Sequence, residues 1–138
     1  MDREAMLATI DALYQERIAG LTDTMATHLA EGATFRMAGE GQMDVFGSDG
    51  AVGFLDALRT LNGGISMTKV TIVEAVAEGN RCVVCLTADV GFGDRAPFET
   101  EIFNLWSFDE AGKVTSLTEF VDTAKLVSEV QMLSGSLV

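Results

Sequence analysis

Apolar residues recur at intervals of three and four near the start of the chain, at Leu7, Ile10, Tyr14, Ile18 and Leu21. This spacing predicts one face of an amphipathic helix, bent or broken at Gly20. A second, short helix is predicted over about 22–30, with Met25 and Leu29 inward and Glu31-Gly32 as its stop. Residues 33–38 read as a strand, and the glycine-rich 39–47 as a loop or an irregular hairpin. Ser48 or Asp49 can cap a third helix, whose apolar stripe is Ala51, Phe54, Leu55, Leu58 and Leu61 and whose stop is Gly63-Gly64.

From Ile65 onward the period changes to that of strands. β-rich runs cover 66–77, 81–90, 98–108 and 114–121. They are joined by Glu78-Gly79-Asn80, Gly91-Phe92-Gly93-Asp94 and Asp109-Glu110-Ala111-Gly112, the short polar or glycine-rich turns of antiparallel hairpins. Asp122 can cap a final helix carrying Ala124, Val127 and Val130. Helices followed by a long meander imply an α+β fold, with the helices packed on the concave face of a cone-shaped, curved antiparallel sheet. In the third run Phe98, Thr100, Ile102, Asn104, Trp106 and Phe108 alternate with Glu99, Glu101, Phe103, Leu105 and Ser107. If the first set faces the helices, Phe103 and Leu105 lie on the outer face, which is then expected to meet a second copy in a homodimer.

A length of 138 residues fits a single domain, 1–138, able to bury a core without disulfide staples. With 48% hydrophobic residues and one proline, the composition is that of a packed globule. The net charge of −12 repels phosphate backbones and anionic lipid headgroups, which argues against nucleic acid and membrane surfaces as partners. The longest apolar runs, such as 82–86, are far too short for a membrane span, and Met1-Asp2-Arg3-Glu4 lacks the basic and apolar regions of a signal peptide. A cytoplasmic location is expected.

Cys82 and Cys85 have the spacing of a CxxC motif, but they sit in the strand-like run Arg81-Cys82-Val83-Val84-Cys85-Leu86-Thr87. Side chains three apart in a strand point to opposite faces, so these thiols read as packing residues. His28, the only histidine, can titrate near neutrality, but beside Leu29 on a short helix it reads as a partly exposed packing residue. A histidine-rich metal site is excluded, and Asp89, Asp94 and Glu99 near a hairpin tip form no cluster that demands a cation. Gly91-Phe92-Gly93 opens no helix and is a turn, not a dinucleotide loop. No cofactor is implied.

Four stretches bring the chain close to a known family: the opening helix with Tyr14, then His28-Leu29-Ala30-Glu31-Gly32-Ala33-Thr34-Phe35, Phe108-Asp109-Glu110-Ala111-Gly112-Lys113-Val114 and Glu119-Phe120-Val121-Asp122-Thr123-Ala124. Over nearly its whole length the sequence resembles the nuclear transport factor 2 superfamily and, within it, the ketosteroid isomerase and SnoaL-like group. The patterns are specific for fold and weak for chemistry. The resemblance implies a small apolar ligand between the helices and the sheet, lined by Phe35, Met37, Phe54, Met67, Ile102, Trp106 and Leu117. Ordinary core packing explains the same residues.

A ketosteroid isomerase uses a carboxylate base, with a tyrosine and a protonated aspartic acid that stabilise the enolate oxygen. By the resemblance the base falls at Met37, which cannot accept a proton, and this argues against that route. The aspartic acid falls at Asn104, whose amide can donate without protonation. The tyrosine falls at or beside Leu13, which makes Tyr14 a candidate after a shift of one residue. Glu119 alternates with Leu117 and Val121, the set that the resemblance assigns to the cavity. It offers a replacement base, since burial raises a carboxyl pKa toward neutrality. The alternative has Glu119 at the cavity mouth or paired with Arg36 or Arg95. Asp122 resembles the acid or base of polyketide cyclases, and it equally suits a helix cap. The aspartate, arginine, aspartate relay of an epoxide hydrolase cannot be assembled from the strand positions.

Three functions follow from this. One is an isomerase, cyclase or related enzyme that transfers a proton on a small carbonyl compound, using Glu119, Asp122, Asn104 and Tyr14. The others are a non-catalytic binding domain with the same cavity, and an interaction module working through its sheet.

Overall fold

The computed structural model describes residues 1–39 and 52–135. Helix α1 (Arg3–Ala19) starts where Asp2 Oδ1 accepts from the Ala5 N–H at 2.7 Å and stops at Gly20, whose φ of 73° a side-chain-bearing residue rarely adopts. Its buried stripe is Met6, Ile10, Leu13 and Tyr14. The predicted stripe is therefore corrected at its end, because Ile18 and Leu21 are exposed, while Arg17 of the same turn is the residue that reaches the sheet, at Glu119.

Helix α2 (Thr22–Ala26) is shorter than predicted, and strand β1 (Leu29–Met37) takes over where helix was expected. Long-range pairing decides this. Leu29 lies opposite Val114, and the His28 carbonyl accepts from the Val114 N–H at 2.9 Å, which outweighs local helical preference. Strand β2 (Val52–Gly53) and helix α3 (Phe54–Asn62) follow, with Phe54, Ala57 and Leu58 buried and Leu55 partly so. The loop assigned to 39–47 and the caps Ser48 and Asp49 lie outside the described residues, apart from Gly39.

Strands β3 (Ile65–Glu78), β4 (Arg81–Phe92), β5 (Phe98–Phe108) and β6 (Val114–Phe120) form the meander close to the predicted bounds, and helix α4 (Thr123–Gly135) closes the described chain. The sheet order is β2-β1-β6-β5-β4-β3. The sheet is mixed where an antiparallel one was expected, because β1 runs parallel to β6. A hairpin-only reading has no signal for that pairing, which joins strands far apart in sequence. Register shifts along β3, with Lys69 at a φ of 52°, mark bulges that bend the sheet.

Two cross-sheet rows face the helices. One runs Phe35, Leu117, Trp106, Cys82 and the next Met37, Glu119, Asn104, Val84. All eight side chains are buried. The other face carries Val73, Val76, Val83, Phe103 and Phe120 exposed and Leu105 partly buried, in agreement with the alternation read along β5. Cys82 is buried and Cys85 is not, and both are free thiols. Among the described residues no helix is long and apolar enough to cross a membrane.

Helix α4 is fastened by polar contacts. Asp122 Oδ1 accepts from the Lys125 N–H at 3.1 Å, the expected cap. Asp122→Ala should cost about 1 kcal/mol of stability and Asp122→Asn only a few tenths, as urea denaturation would read. Further along, Glu129 is buried between Arg95 Nε at 2.7 Å and Lys125 Nζ at 3.2 Å. The Arg95 hydrogen bond, then that of Lys125, holds the Glu129 carboxyl below its ordinary value. A depressed carboxylate stabilises the fold above the unfolded-state value, about 4.3, and loses that contribution as pH falls through the folded one. Thermal melts from pH 7 to pH 3 should show a steeper loss in the native chain than in Glu129→Gln. Equal slopes would remove the latch.

Candidate functional site

Strand alternation and helix spacing together bring Tyr14, Asn104, Trp106, Glu119 and Arg17 into one buried patch, as a hydrogen-bonded trio and an ion pair side by side. Asn104 and Glu119 are register partners on β5 and β6, so their side chains rise from the same face. Tyr14 and Arg17 sit three apart on α1 and share the helix face above them.

The contacts form a short chain. Asn104 Nδ2 donates to Tyr14 Oη at 2.6 Å and Trp106 Nε1 donates to the same oxygen at 3.3 Å. With both acceptor positions of the phenol oxygen in use, its own O–H is left to donate. Burial, with the Glu119 charge adding to it, pushes the Tyr14 phenol well above its ordinary value, while the Asn104 and Trp106 bonds and the Arg17 charge pull it back. A phenol in this setting is a neutral donor and not a base. Asn104 Oδ1 is buried and has no hydrogen-bond partner among the described residues. The amide nitrogen is committed to Tyr14, so Asn104 orients the phenol and keeps an open acceptor.

Arg17 Nη1 pairs with Glu119 Oε1 at 3.2 Å, with the Arg17 side chain 9% exposed and that of Glu119 2%. The partners considered from sequence, Arg36 and Arg95, are not the observed ones, since Arg95 binds Glu129 instead. Nothing in the strand pattern pointed to Arg17. Its place one turn after Tyr14 on the buried face of α1 was the available signal.

The remaining candidates lie elsewhere. Asp122 is exposed, caps α4 and borders a depression on the outer side with Phe103 and Phe120. His28 is not on a helix but at the start of β1's pairing, with its Nε2 3.2 Å from Glu16 Oε1. Phe35, Met37, Phe54, Ile102, Trp106 and Leu117 are buried core. Their rings interlock: Tyr14 meets Trp106 edge-on at 5.7 Å, and Phe35 meets Phe54 edge-on at 5.8 Å. Met67 is half-buried and lines an open cleft, of about 450 Å³, that Arg17 also lines. Among the described residues no three His, Cys, Asp or Glu side chains group so as to hold a metal ion.

No family model matches the sequence, and no curated protein does either. Solved structures do match the fold. A protein of unknown function from Burkholderia pseudomallei, of the type named after nuclear transport factor 2, is 19% identical over 93% of this chain and 97% of its own, with a TM-score of 0.78. TerC, co-crystallised with polyporic acid, is 19% identical over 92% of this chain and 98% of its own, also at 0.78. An epoxide hydrolase of the LEH-like type from Mycobacterium tuberculosis is 14% identical over 97% of this chain and 95% of its own, at 0.69. The chain therefore has the nuclear transport factor 2-like fold, and at these identities the likeness extends to the fold alone.

Proposed function

We propose that this chain, built on the nuclear transport factor 2-like fold, binds a small, mostly apolar carbonyl compound beside the Tyr14, Asn104, Glu119 row and moves a proton on it. Glu119 is the acid or base and the Tyr14 O–H polarises the oxygen. The observation that carries this reading is the burial of these polar side chains, each 1% exposed or less, on a face that is otherwise apolar. Leucine-like side chains would pack that face without the desolvation cost of a phenol, an amide and a carboxylate. The three residues supply what proton transfer next to a carbonyl needs. The carboxylate takes the α-proton, the electron pair moves toward oxygen, and the phenol donates to the developing enolate. Returning the proton at another carbon gives an isomer; attack by the enolate carbon on a second carbonyl of the same compound breaks that C=O π bond, and the resulting alkoxide takes the proton back from Glu119 to leave a ring.

Two likenesses favour small-molecule chemistry: TerC is crystallised with polyporic acid, and the Mycobacterium tuberculosis protein is an epoxide hydrolase. Val76, Phe103 and Phe120 on the outer face fit a homodimer through the sheet. A non-catalytic binding domain is the second reading. It is favoured by Met37, the register partner of Glu119, which occupies the position where the family resemblance puts the base.

Native mass spectrometry followed by denaturing extraction tests ligand and assembly together. A dimer that retains a carbonyl compound is expected, and an empty protein would count against both readings. With the retained compound as substrate, Glu119→Gln should slow turnover by about 10²–10⁴-fold and leave retention unchanged. Equal turnover would remove Glu119 from the chemistry. A retained compound that the native chain never converts would identify a binding domain.

A further inference from the structure

A site that works on a bound compound must first admit it, yet Tyr14, Asn104 and Glu119 are each 1% exposed or less. Something has to move. The open cleft of about 450 Å³ at the C-terminal end of α1 and this closed row have one side chain in common. Arg17 lines the cleft, and its Nη1 holds Glu119 Oε1 at 3.2 Å. Its Nε is buried and its side chain is 9% exposed, so the guanidinium stands between the cleft and the carboxylate as a plug.

The plug is held differently from its neighbours. Tyr14, Trp106, Phe35 and Phe54 interlock ring against ring, so moving any of them breaks apolar packing. Arg17 is held at its tip by an ion pair, and its Nε has no hydrogen-bond partner among the described residues. A long side chain anchored at one end can swing out by rotation about its own bonds, on the fast timescale of rotamer changes. The cleft gives it room. Gly20, Gly63, Gly64, Gly91 and Gly93 line it, and a Cβ at Gly20 or Gly64 would meet nothing within 4 Å. The Ser66 and Thr68 hydroxyls on the same wall can accept from a guanidinium that has left Glu119. Leaving strands the Glu119 carboxylate without its counter-ion, which makes the closed position the resting one.

We propose that Arg17 is a side-chain gate: the cleft at the end of α1 is the entrance to the Tyr14, Asn104, Glu119 row, and the Arg17–Glu119 ion pair is the latch that shuts it. The proposal rests on the reading of that row as the ligand site, and it makes Arg17 a positioning residue that controls access without taking part in proton transfer.

The test is thiol labelling, which needs neither a ligand nor turnover. In a Cys85→Ser background, Glu119→Cys places a thiol on the inner side of the gate, while the buried native Cys82, register partner of Trp106, reports any general opening of the fold. Methyl methanethiosulfonate, small and neutral, is the probe, and peptide mass spectrometry reads each thiol by itself. Combined with Glu119→Cys, Arg17→Met keeps an apolar plug of similar length and Arg17→Ala removes it. The thiol at position 119 should react at least about tenfold faster with Arg17→Ala than with Arg17→Met, with the Cys82 rate the same in both. Native Arg17, deprived of its acceptor by Glu119→Cys, should swing to water and give a rate near that of Arg17→Ala. Gly64→Phe, added to Arg17→Ala, builds into the cleft and should bring the rate back toward that of Arg17→Met. Equal rates for Arg17→Met and Arg17→Ala would overturn the gate, and so would a parallel rise at Cys82, which reports unfolding. A native Arg17 as slow as Arg17→Met would show a fixed plug and overturn the swing. No effect of Gly64→Phe would overturn the cleft as the entrance. Each of these failures leaves Glu119 as the working carboxylate, which turnover tests separately; the expected labelling in a chain without turnover would keep the gate and remove the chemistry.

Discussion

Arg17→Ala destabilises the fold by about 3–5 kcal/mol, because it leaves the Glu119 carboxylate buried without its counter-ion. The size of the effect comes from the penalty on the surviving charge and not from the attraction lost. A double variant, Arg17→Met with Glu119→Leu, should therefore recover most of the loss, since it removes both desolvation penalties and packs apolar surface in their place. Urea denaturation at pH 7 of the native chain, the single variant and the double variant gives the comparison. A cost below about 1 kcal/mol for Arg17→Ala would mean that the pair behaves as a solvated surface pair, and the buried patch would lose its ion pair.

Tyr14→Phe removes one oxygen that serves two donors. The ring still packs edge-on against Trp106, so the change isolates the hydroxyl. Asn104 Nδ2 and Trp106 Nε1 both lose their acceptor inside an apolar face. At about 1–3 kcal/mol for each unsatisfied buried group, the total should reach about 2–4 kcal/mol. Asn104→Leu in the Tyr14→Phe background should cost less than the sum of the single changes, because one orphaned donor disappears. The chain contains a single tyrosine, so the rise in absorbance near 295 nm on tyrosinate formation, over the pH-independent Trp106 background, reports Tyr14. With its phenol pushed up by burial, tyrosinate should appear only well above pH 10, together with unfolding. A simple titration near 10 in folded protein would show that the phenol is open to water.

Much of the fold was legible because local patterns carry it. The 2-residue alternation along β5 assigns Ile102, Asn104 and Trp106 to the helical side and Phe103 to the outer side, and the structure agrees on each. The turn at Glu78-Gly79-Asn80 and the cap at Asp122 are likewise short-range chemistry. Leu29 shows where such reasoning stops. Its neighbours favour helix, but a strand some 85 residues later offers it a ladder position opposite Val114.

The site divides the same way. Tyr14, Asn104 and Glu119 were reached through the family resemblance, and strand alternation added only that Asn104 shares a face with Ile102 and Trp106 and Glu119 one with Leu117. Arg17 was missed, because an arginine near a helix end reads as a solvated charge, and its spacing from Tyr14 gains meaning only when the helix is laid across the sheet. By itself the sequence determined most of the elements and the inward face of the meander strands, which are properties of near neighbours with a fixed period. Only the tertiary structure decided that β1 runs parallel beside β6, that Glu119 meets Arg17, and that the aromatic residues fill the interior beside a cleft at the end of α1. Each of these depends on contacts between segments far apart in the chain, and no periodicity encodes them.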